Sequence, residues 1–279
     1  MTKNRFKINI PIAILITLLA VIYQRSTGPT YPKKVYFHAN GKEVKLSLLR
    51  SHETQKDAVI SIPLLNPSMQ ATLSLKRYPA PPEEKWTEVD FVPSESQQLS
   101  ASLPHQPPAG KLQYYIKIQI PEEQSAEQFL ASESEPVIIR FKGAVPPWIL
   151  APHILCMFFA MLLSTLAGLE ALSKTQSYFG ISVIAVVFLS IGGLILGPIV
   201  QKYAFGEFWT GFPYGFDLTD NKTLIAAIFW YSAILLNLKR KAAWACAGAA
   251  LILLGVYSIP HSALGSQYNY ETESVETGK

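Results

Sequence analysis

The sequence has few cysteines and few charged residues for its length. Only two of its 279 residues are cysteine, and both, Cys156 and Cys246, lie in apolar stretches. The polar first half therefore cannot form a disulfide framework, and no CxxC or CxxCH pattern is present for thiol-bound zinc or c-type haem. Charged residues make up only 16% of the chain, which is typical of a membrane protein that carries a soluble part.

Other common signatures are also missing. The formal net charge is +4, and the basic residues are scattered, so we expect no nucleic-acid partner. The chain contains no GxSxG elbow, P-loop, HExxH pair or dinucleotide fingerprint. These absences exclude the commonest hydrolase, nucleotide-binding and zinc-protease sites, and they favour a non-enzymatic role.

Apolar segments occur at the N-terminus and in the second half of the chain. The first, residues 8–23, follows Lys3, Arg5 and Lys7, an order shared by signal peptides and uncleaved anchors. Bulky residues stand where a signal peptidase requires small ones, so we expect residues 1–24 to be a transmembrane anchor rather than a cleaved signal sequence. Four more spans are predicted, at residues 148–171, 178–200, 223–238 and 242–259.

The basic residues in the short connections predict the orientation of these spans. Lys239, Arg240 and Lys241 lie between the last two spans, on the same side as the basic N-terminal tail. By the positive-inside tendency this side is cytoplasmic. The predicted location is a bacterial inner membrane. The periplasmic side then contains the polar region, the connection at residues 201–222 and the C-terminus.

Residues 30–145 show a period-two pattern that predicts strands. Asn40-Gly41, a dipeptide favoured in tight hairpins, separates KKVYFHA from KEVKLSLL. Six further alternating runs follow, namely DAVISI, QATLSLKRY, WTEVDFV, QLSASL, KLQYYIKIQI and PVIIRFK. About eight short strands separated by Pro, Gly and Ser clusters indicate an antiparallel β-sandwich.

The stretch LPHQPPAGKLQYYIKI, at residues 103–118, resembles the turn and following strand of immunoglobulin-like and fibronectin type III-like domains. The resemblance implies a sandwich of that kind for residues 30–145 and, because such domains usually bind partners, a protein partner for this region. The predicted fold class is a multi-domain membrane protein with an N-terminal transmembrane anchor, an all-β sandwich external domain and a C-terminal α-helical four-span bundle. Its predicted segments are residues 1–24, 30–145, 146–262 and a polar tail at 263–279.

Two histidines are the first candidates for a binding site. His153 and His261 are each preceded by proline, and the predicted topology places both at the periplasmic ends of spans. They could anchor helix ends at the headgroup level, hold a b-type haem, or join Asp217 or Asp220 around a metal ion. A hydrogen bond to a quinone is a further alternative, and ionisable residues near hydrocarbon are functional candidates by default.

The connection YAFGEFWTGFPYGFDLTDNK, at residues 203–222, is the second candidate. Its aromatic residues, including Trp209, suit the headgroup zone of a membrane. Asp217 and Asp220 stand where they can cap and stabilise the start of the next helix. The alternative is a lid that folds over the histidines, with aromatic walls around a ligand and the aspartates supplying charge.

Two further patterns concern the spans themselves. Ala160, Ser164 and Gly168 repeat every four residues, which predicts close helix packing within the bundle. Glu170 is a lone carboxylate near Lys174, and it is either an interfacial residue or part of a proton relay.

Together these features predict a bacterial inner-membrane protein that presents a periplasmic interaction domain, as an accessory or assembly subunit of an envelope complex. Its predicted partners are the lipid bilayer and a protein bound through residues 30–145. The alternatives are a b-haem- or metal-binding electron-transfer protein and a membrane enzyme acting on a quinone or a lipid.

Overall fold

The chain folds into a helical unit and a β-rich unit. This computed structural model describes residues 2–39, 41–94, 96–120, 128–260 and 265–276. The helical unit comprises Met1–Pro29 and Val145–Ser266, and the β-rich unit comprises Thr30–Ala144 and Gln267–Glu276. The predicted combination of apolar helices with a β-rich central region is thus confirmed.

Helices form at all five predicted apolar segments. Their bounds are α1 Thr2–Thr27, α2 Pro147–Leu172, α3 Tyr178–Leu189, α4 Gly197–Phe205, α5 Leu218–Lys239 and α6 Ala243–Ser258. Among the described residues, four helical stretches are long and apolar enough to cross a membrane, namely Arg5–Thr27, Pro147–Leu172, Tyr178–Phe205 and Leu218–Lys239. α6 is apolar but shorter.

A π-helical segment, Ser190–Leu196, joins α3 to α4 and makes Tyr178–Phe205 one continuous helix. Glycines let this segment approach its neighbours closely. A Cβ on Gly192 would lie 2.7 Å from Met157 Sδ of α2, and one on Gly193 would lie 2.8 Å from Thr223 Cγ2 of α5. Any larger residue at either position must push a neighbouring helix away.

The N-terminal helix is part of the helical unit. α1 packs against α2 and α6, and its Ala13 and Thr17 are fully buried. Near its end, the Gln24 amide donates to the Tyr257 carbonyl of α6 at 3.0 Å. α1 is therefore a packed member of the bundle rather than an isolated anchor.

The predicted small-residue contact is made within the molecule. Ala160, Ser164 and Gly168 are all buried, and a Cβ on Gly168 would lie 2.6 Å from Ala250 Cβ of α6. The Ser164 hydroxyl accepts a hydrogen bond from the Trp230 indole at 3.2 Å. Small side chains on α2 thus allow α6 to pack closely, as small residues do in membrane helices.

The eight predicted strands are confirmed, as β1 Lys33–Ala39, β2 Lys42–Leu48, β4 Ala58–Pro63, β5 Gln70–Arg77, β6 Thr87–Asp90, β8 Gln98–Leu103, β9 Lys111–Gln119 and β11 Val137–Lys142. Three short strands within the same region were not predicted, namely β3 Ser51–Glu53, β7 Val92–Ser94 and β10 Gln128–Leu130. Each has three residues, too few to show a period-two pattern.

The strands form several sheets. β1 pairs with β2, a three-stranded sheet has the order β4-β8-β7, and the largest sheet has the order β3-β11-β9-β5-β6 with β10 alongside β9. The expectation of wholly antiparallel pairing was wrong at one edge, because β3 pairs with β11 in parallel. β3 follows closely after β2 and has only three residues. So short a strand shows no pattern that would indicate whether it pairs in parallel or antiparallel.

One hydrophobic core underlies these sheets. Leu112, Tyr114, Ile116 and Ile118 alternate along β9 and are almost fully buried, as the period-two pattern predicts. Burial of such a side chain typically contributes about 1.5–3 kcal/mol. The Tyr114 hydroxyl satisfies its hydrogen-bonding need inside the core by donating to the Leu49 carbonyl at 2.8 Å.

The end of the described chain returns to the β-rich unit. Strands β12 Gln267–Asn269 and β13 Ser274–Glu276 form a hairpin, which we call the C-terminal hairpin. Its Tyr268 amide donates to the Ala109 carbonyl at 3.1 Å, and the Tyr270 hydroxyl lies 2.9 Å from Gln106 Oε1. The sequence predicts a separate polar tail at residues 263–279, whereas Gln267–Glu276 groups with the β-rich unit.

Replacing Tyr270 with alanine is expected to destabilise the β-rich unit by about 1–2 kcal/mol, since it removes a half-buried ring and its hydrogen bond. The Arg77 guanidinium, 5.3 Å from the ring centroid, also loses its contact. Hydrogen exchange of the β9 amides measures the effect, with the exposed Thr272→Ala as control. Equal exchange in the two variants would contradict a stabilising role for the C-terminal hairpin.

Lys111 is expected to make the stability of the β-rich unit depend on pH. Burial, together with the charge of Arg140 on the neighbouring strand, lowers the pKa of Lys111 to about 8. The unfolded chain keeps this proton up to about pH 10.4, so the free energy of unfolding should rise between about pH 8 and 10. The slope is at most about 1.4 kcal/mol per pH unit, and partial exposure reduces it.

This slope is measured as the change in the free energy of unfolding of the intact protein between pH 7.5 and 9.5. Hydrogen exchange of the β9 amides reports that free energy. Lys111→Met should remove it and raise stability at pH 7.5, whereas the exposed control Lys45→Met should leave it unchanged. A slope that persists in Lys111→Met would assign the pH dependence to another group.

Candidate functional site

Asp217 belongs to a buried polar network at the start of α5. One carboxylate oxygen accepts the Thr219 amide at 2.8 Å, so Asp217 is the N-cap of α5 and the capping prediction is confirmed. The other oxygen accepts both the amide and the hydroxyl of Ser266 at 2.9 Å. Asp217 thus binds the segment that follows α6 to the beginning of α5.

Asp220 lies in the first turn of α5 and points back to the preceding connection. Its Oδ2 accepts the Thr210 amide at 2.6 Å and the Gly211 amide at 3.0 Å. Gln201 of α4 donates to the Thr210 hydroxyl at 2.6 Å. A carboxylate here is also favoured by the positive end of the helix dipole. Asp220 therefore holds the connection between α4 and α5 in one conformation.

Lys222 adds a cation to the same end of the helical unit. Its side chain is buried, and the ammonium donates to the Ile259 carbonyl at 2.7 Å, just beyond the end of α6. Among the described residues, the ion pairs join Arg77 to Glu84 and His105 to Asp57, and Lys222 belongs to neither of them. Lys222 thus bonds the helix end through a backbone carbonyl.

The aromatic residues of the connection are mostly outside this network. Trp209 is half-buried, and its indole donates to the Phe212 carbonyl at 3.0 Å. Phe208, Phe212, Tyr214 and Phe216 are exposed. These four rings lie on the outer surface of the connection, and the lid over the histidines stays a prediction.

His153 contacts the π-helical segment. Its Nδ1 lies 2.9 Å from the Gly192 carbonyl oxygen, which also accepts the Gly197 amide. Because a carbonyl only accepts, this bond requires a proton on His153 Nδ1, and in the neutral ring Nε2 then carries the lone pair. Metal-ligating histidines commonly have this arrangement, and π-helical segments often occur at functional sites.

The second histidine, His261, lies outside the described residues. Among the described residues, no group of three or more His, Cys, Asp and Glu side chains is arranged to hold a metal ion. The haem or metal hypothesis that combines His153 with His261, Trp209 and the two aspartates therefore stays a prediction. In the described structure, Asp217 and Asp220 bind backbone and hydroxyl groups.

Glu170, a candidate from the sequence, is the centre of a polar cluster near the C-terminal end of α2, and its partners there were not predicted. The side chain is fully buried, and Oε1 accepts the Asn9 amide of α1 at 2.7 Å. Oε2 accepts the hydroxyls of Thr175 and Ser177, the latter at 2.7 Å. A signal existed in the sequence, because Asn9 is the one side-chain amide in the mainly apolar segment at residues 8–23.

The arrangement as a whole consists of two buried polar centres, around Asp220 and Glu170, that hold helix ends, and of the His153 imidazole bonded through Nδ1 to the Gly192 carbonyl. Comparison with known proteins assigns no family: no protein-family model, no curated protein and no solved structure matches the chain.

Proposed function

We propose that this chain is a bacterial inner-membrane protein that presents a β-sandwich on the periplasmic side, as an accessory or assembly subunit of an envelope complex. The observation that carries the proposal is the discontinuous β-rich unit, built from Thr30–Ala144 and from Gln267–Glu276. The chain enters the helical unit from this domain and returns to it. An immunoglobulin-like or fibronectin type III-like fold for the domain is part of the proposal.

The return of the chain supports a topology with five crossings. Because residues before α2 and after α6 belong to one unit, an even number of crossings must separate them. α2, the continuous helix Tyr178–Phe205 and α5 supply three, so α6 is the fourth. Its 16 residues reach about 24 Å, which a locally thinned bilayer accommodates. α1 is the fifth crossing, so the N-terminus and the β-rich unit are proposed to lie on different sides of the membrane.

An aromatic ridge on the outer face of the largest sheet is the surface we assign to the protein partner. Tyr115 of β9 lies 4.8 Å from Trp86 and 6.3 Å from Phe129, measured between ring centroids. The Lys76 ammonium lies 4.6 Å from the Trp86 ring, and the Trp86 indole donates to Glu133 at 2.8 Å. Preordered tryptophan and tyrosine rings typically dominate binding energy at protein interfaces.

Purification of the intact protein from its native membranes in mild detergent tests this assignment. We expect a stoichiometric partner subunit whose affinity falls about 30-fold in the double variant Tyr115→Ala, Phe129→Ala, equivalent to about 2 kcal/mol. The matched control is Tyr36→Ala, an exposed tyrosine on β1. Absence of a stoichiometric partner, or equal binding by all three proteins, would contradict the proposed function.

One observation favours a second function, namely b-type haem or metal binding. The Gly192 carbonyl bonds the His153 ring at Nδ1, the arrangement in which the neutral imidazole would offer Nε2 as a ligand. A Soret band in the visible spectrum of the purified protein, or a stoichiometric metal, should be lost in His153→Ala and retained in the β-strand variant His38→Ala. A colourless, metal-free protein would eliminate this alternative.

A further inference from the structure

We propose that the connection between α4 and α5 is a lipid-binding element that inserts into the boundary between headgroups and acyl chains of one leaflet. We define this interfacial loop as residues 206–216. The proposal rests on the membrane location proposed above. It goes further because it assigns phospholipid, rather than a protein or a small ligand, as the molecule that the interfacial loop contacts.

The first observation is the outward position of the aromatic rings. The exposed fractions are 54% for Phe208, 66% for Phe212, 82% for Tyr214 and 79% for Phe216. So many large exposed rings in one short segment are unusual on a surface that faces only water, and such exposed apolar side chains mark interaction sites. Aromatic side chains are also enriched where membrane and water meet.

The second observation is that the backbone amides of residues 210–215 are bonded within the protein, Pro213 having none. Asp220 accepts the amides of Thr210 and Gly211, and the Asn221 side chain accepts the Phe212 amide at 2.7 Å. The Gly211 carbonyl accepts two amides at 2.9 and 3.0 Å, from Tyr214 and Gly215. A non-helical segment can enter an apolar layer only when its polar backbone groups are bonded within the protein.

The third observation is the placement of charge. Glu207 is the only charged residue within 206–216, and it stands at the beginning of the loop. Lys202, in the last turns of α4, bonds the Gly206 carbonyl, and its ammonium lies 5.4 Å from the Phe208 ring. A lysine that covers an aromatic ring while its charge reaches the polar layer suits a phosphate-rich boundary.

The position of the loop favours lipid over a soluble partner. It directly joins Tyr178–Phe205 to Leu218–Lys239, two helices that are long and apolar enough to cross a membrane. Rings on so short a connection lie at the membrane boundary when both helices span the bilayer. The buried network at Asp217 and Asp220 fixes the loop, so little conformational entropy is lost when the rings insert.

Depth-dependent quenching in phosphatidylcholine–phosphatidylglycerol vesicles tests the proposal on the full chain. Both native cysteines are replaced, by Cys156→Ser and Cys246→Ala, and a fluorescent NBD label is attached through Phe212→Cys or, separately, through Tyr214→Cys. The controls are Ile228→Cys, an exposed position on α5, and Glu43→Cys, an exposed position on β2. Nitroxide-bearing lipids with shallow or deep labels serve as quenchers.

We expect both loop labels to be quenched severalfold more than the Glu43→Cys label, and more strongly by the shallow nitroxide. The Ile228→Cys label should respond more to the deep one. Loop labels that behave like the Glu43→Cys label, while the Ile228→Cys label is quenched, would overturn the lipid-binding loop and leave the membrane location intact. An unquenched Ile228→Cys label would overturn the membrane location and this proposal together. Two independent loop positions guard against a local effect of one substitution.

Discussion

Replacing Asp220 with alanine is expected to lower the free energy of unfolding of the helical unit by about 3 kcal/mol. The side chain is buried, and its removal leaves the amides of Thr210 and Gly211 without their acceptor. A buried donor that loses its partner costs about 1–3 kcal/mol, and the cost is larger for groups bonded to a charge. Denaturant unfolding in detergent, followed by helical circular dichroism, measures the loss.

Two further variants separate the hydrogen bonds from the charge. Asp220→Asn keeps a side-chain oxygen and should lose about half as much stability as Asp220→Ala. Glu207→Ala removes an exposed carboxylate from the same connection and should change stability by less than about 0.5 kcal/mol. Equal stability of Asp220→Ala and Glu207→Ala would show that the buried network does not hold the loop.

Glu170→Ala is expected to have the second large effect, about 3 kcal/mol, and to loosen α1. The carboxylate accepts bonds from Asn9 of α1 and from Thr175 and Ser177 beyond the end of α2, and its loss deprives the buried Asn9 and Thr175 side chains of this acceptor. Limited proteolysis near residues 28–32 measures the release of α1. Unfolding in detergent measures the loss of stability.

The neighbouring Lys174 provides a matched control, because its side chain is exposed and Lys174→Gln should leave both measurements unchanged. Asn9→Ala should reproduce part of the Glu170→Ala effect, specifically the loosening of α1. Proteolysis of Glu170→Ala at the rate of the unaltered protein would contradict a role for this carboxylate in holding α1.

The sequence predicted the elements well because their signals are local. Each apolar run has a helical length, and the alternation in KLQYYIKIQI directly specifies which face of β9 is buried. The cap at Asp217 was also predictable, since it depends only on residues two positions apart. The three-residue strands and the parallel edge were not predictable, because three residues are too few to show a period-two pattern.

The polar centres depend on contacts that no local pattern encodes. Asn9 and Glu170 are separated by 161 positions, and Asp217 and Ser266 by 49. The role of Asp220 could not be predicted either, because it requires the Thr210 and Gly211 amides to turn back toward α5. The tautomer of His153 depends on a carbonyl in a π-helical segment that composition does not reveal.

We propose that the β-rich unit, including the C-terminal hairpin, lies on one side of a membrane that the chain crosses five times. Labelling of single cysteines with a membrane-impermeant maleimide in intact spheroplasts tests it most directly. We predict that Glu43→Cys and Thr272→Cys react from outside, whereas Lys174→Cys and Lys241→Cys react only after permeabilisation. Reaction of Glu43→Cys and Thr272→Cys from opposite sides, or reaction of Lys174→Cys without permeabilisation, would contradict the account.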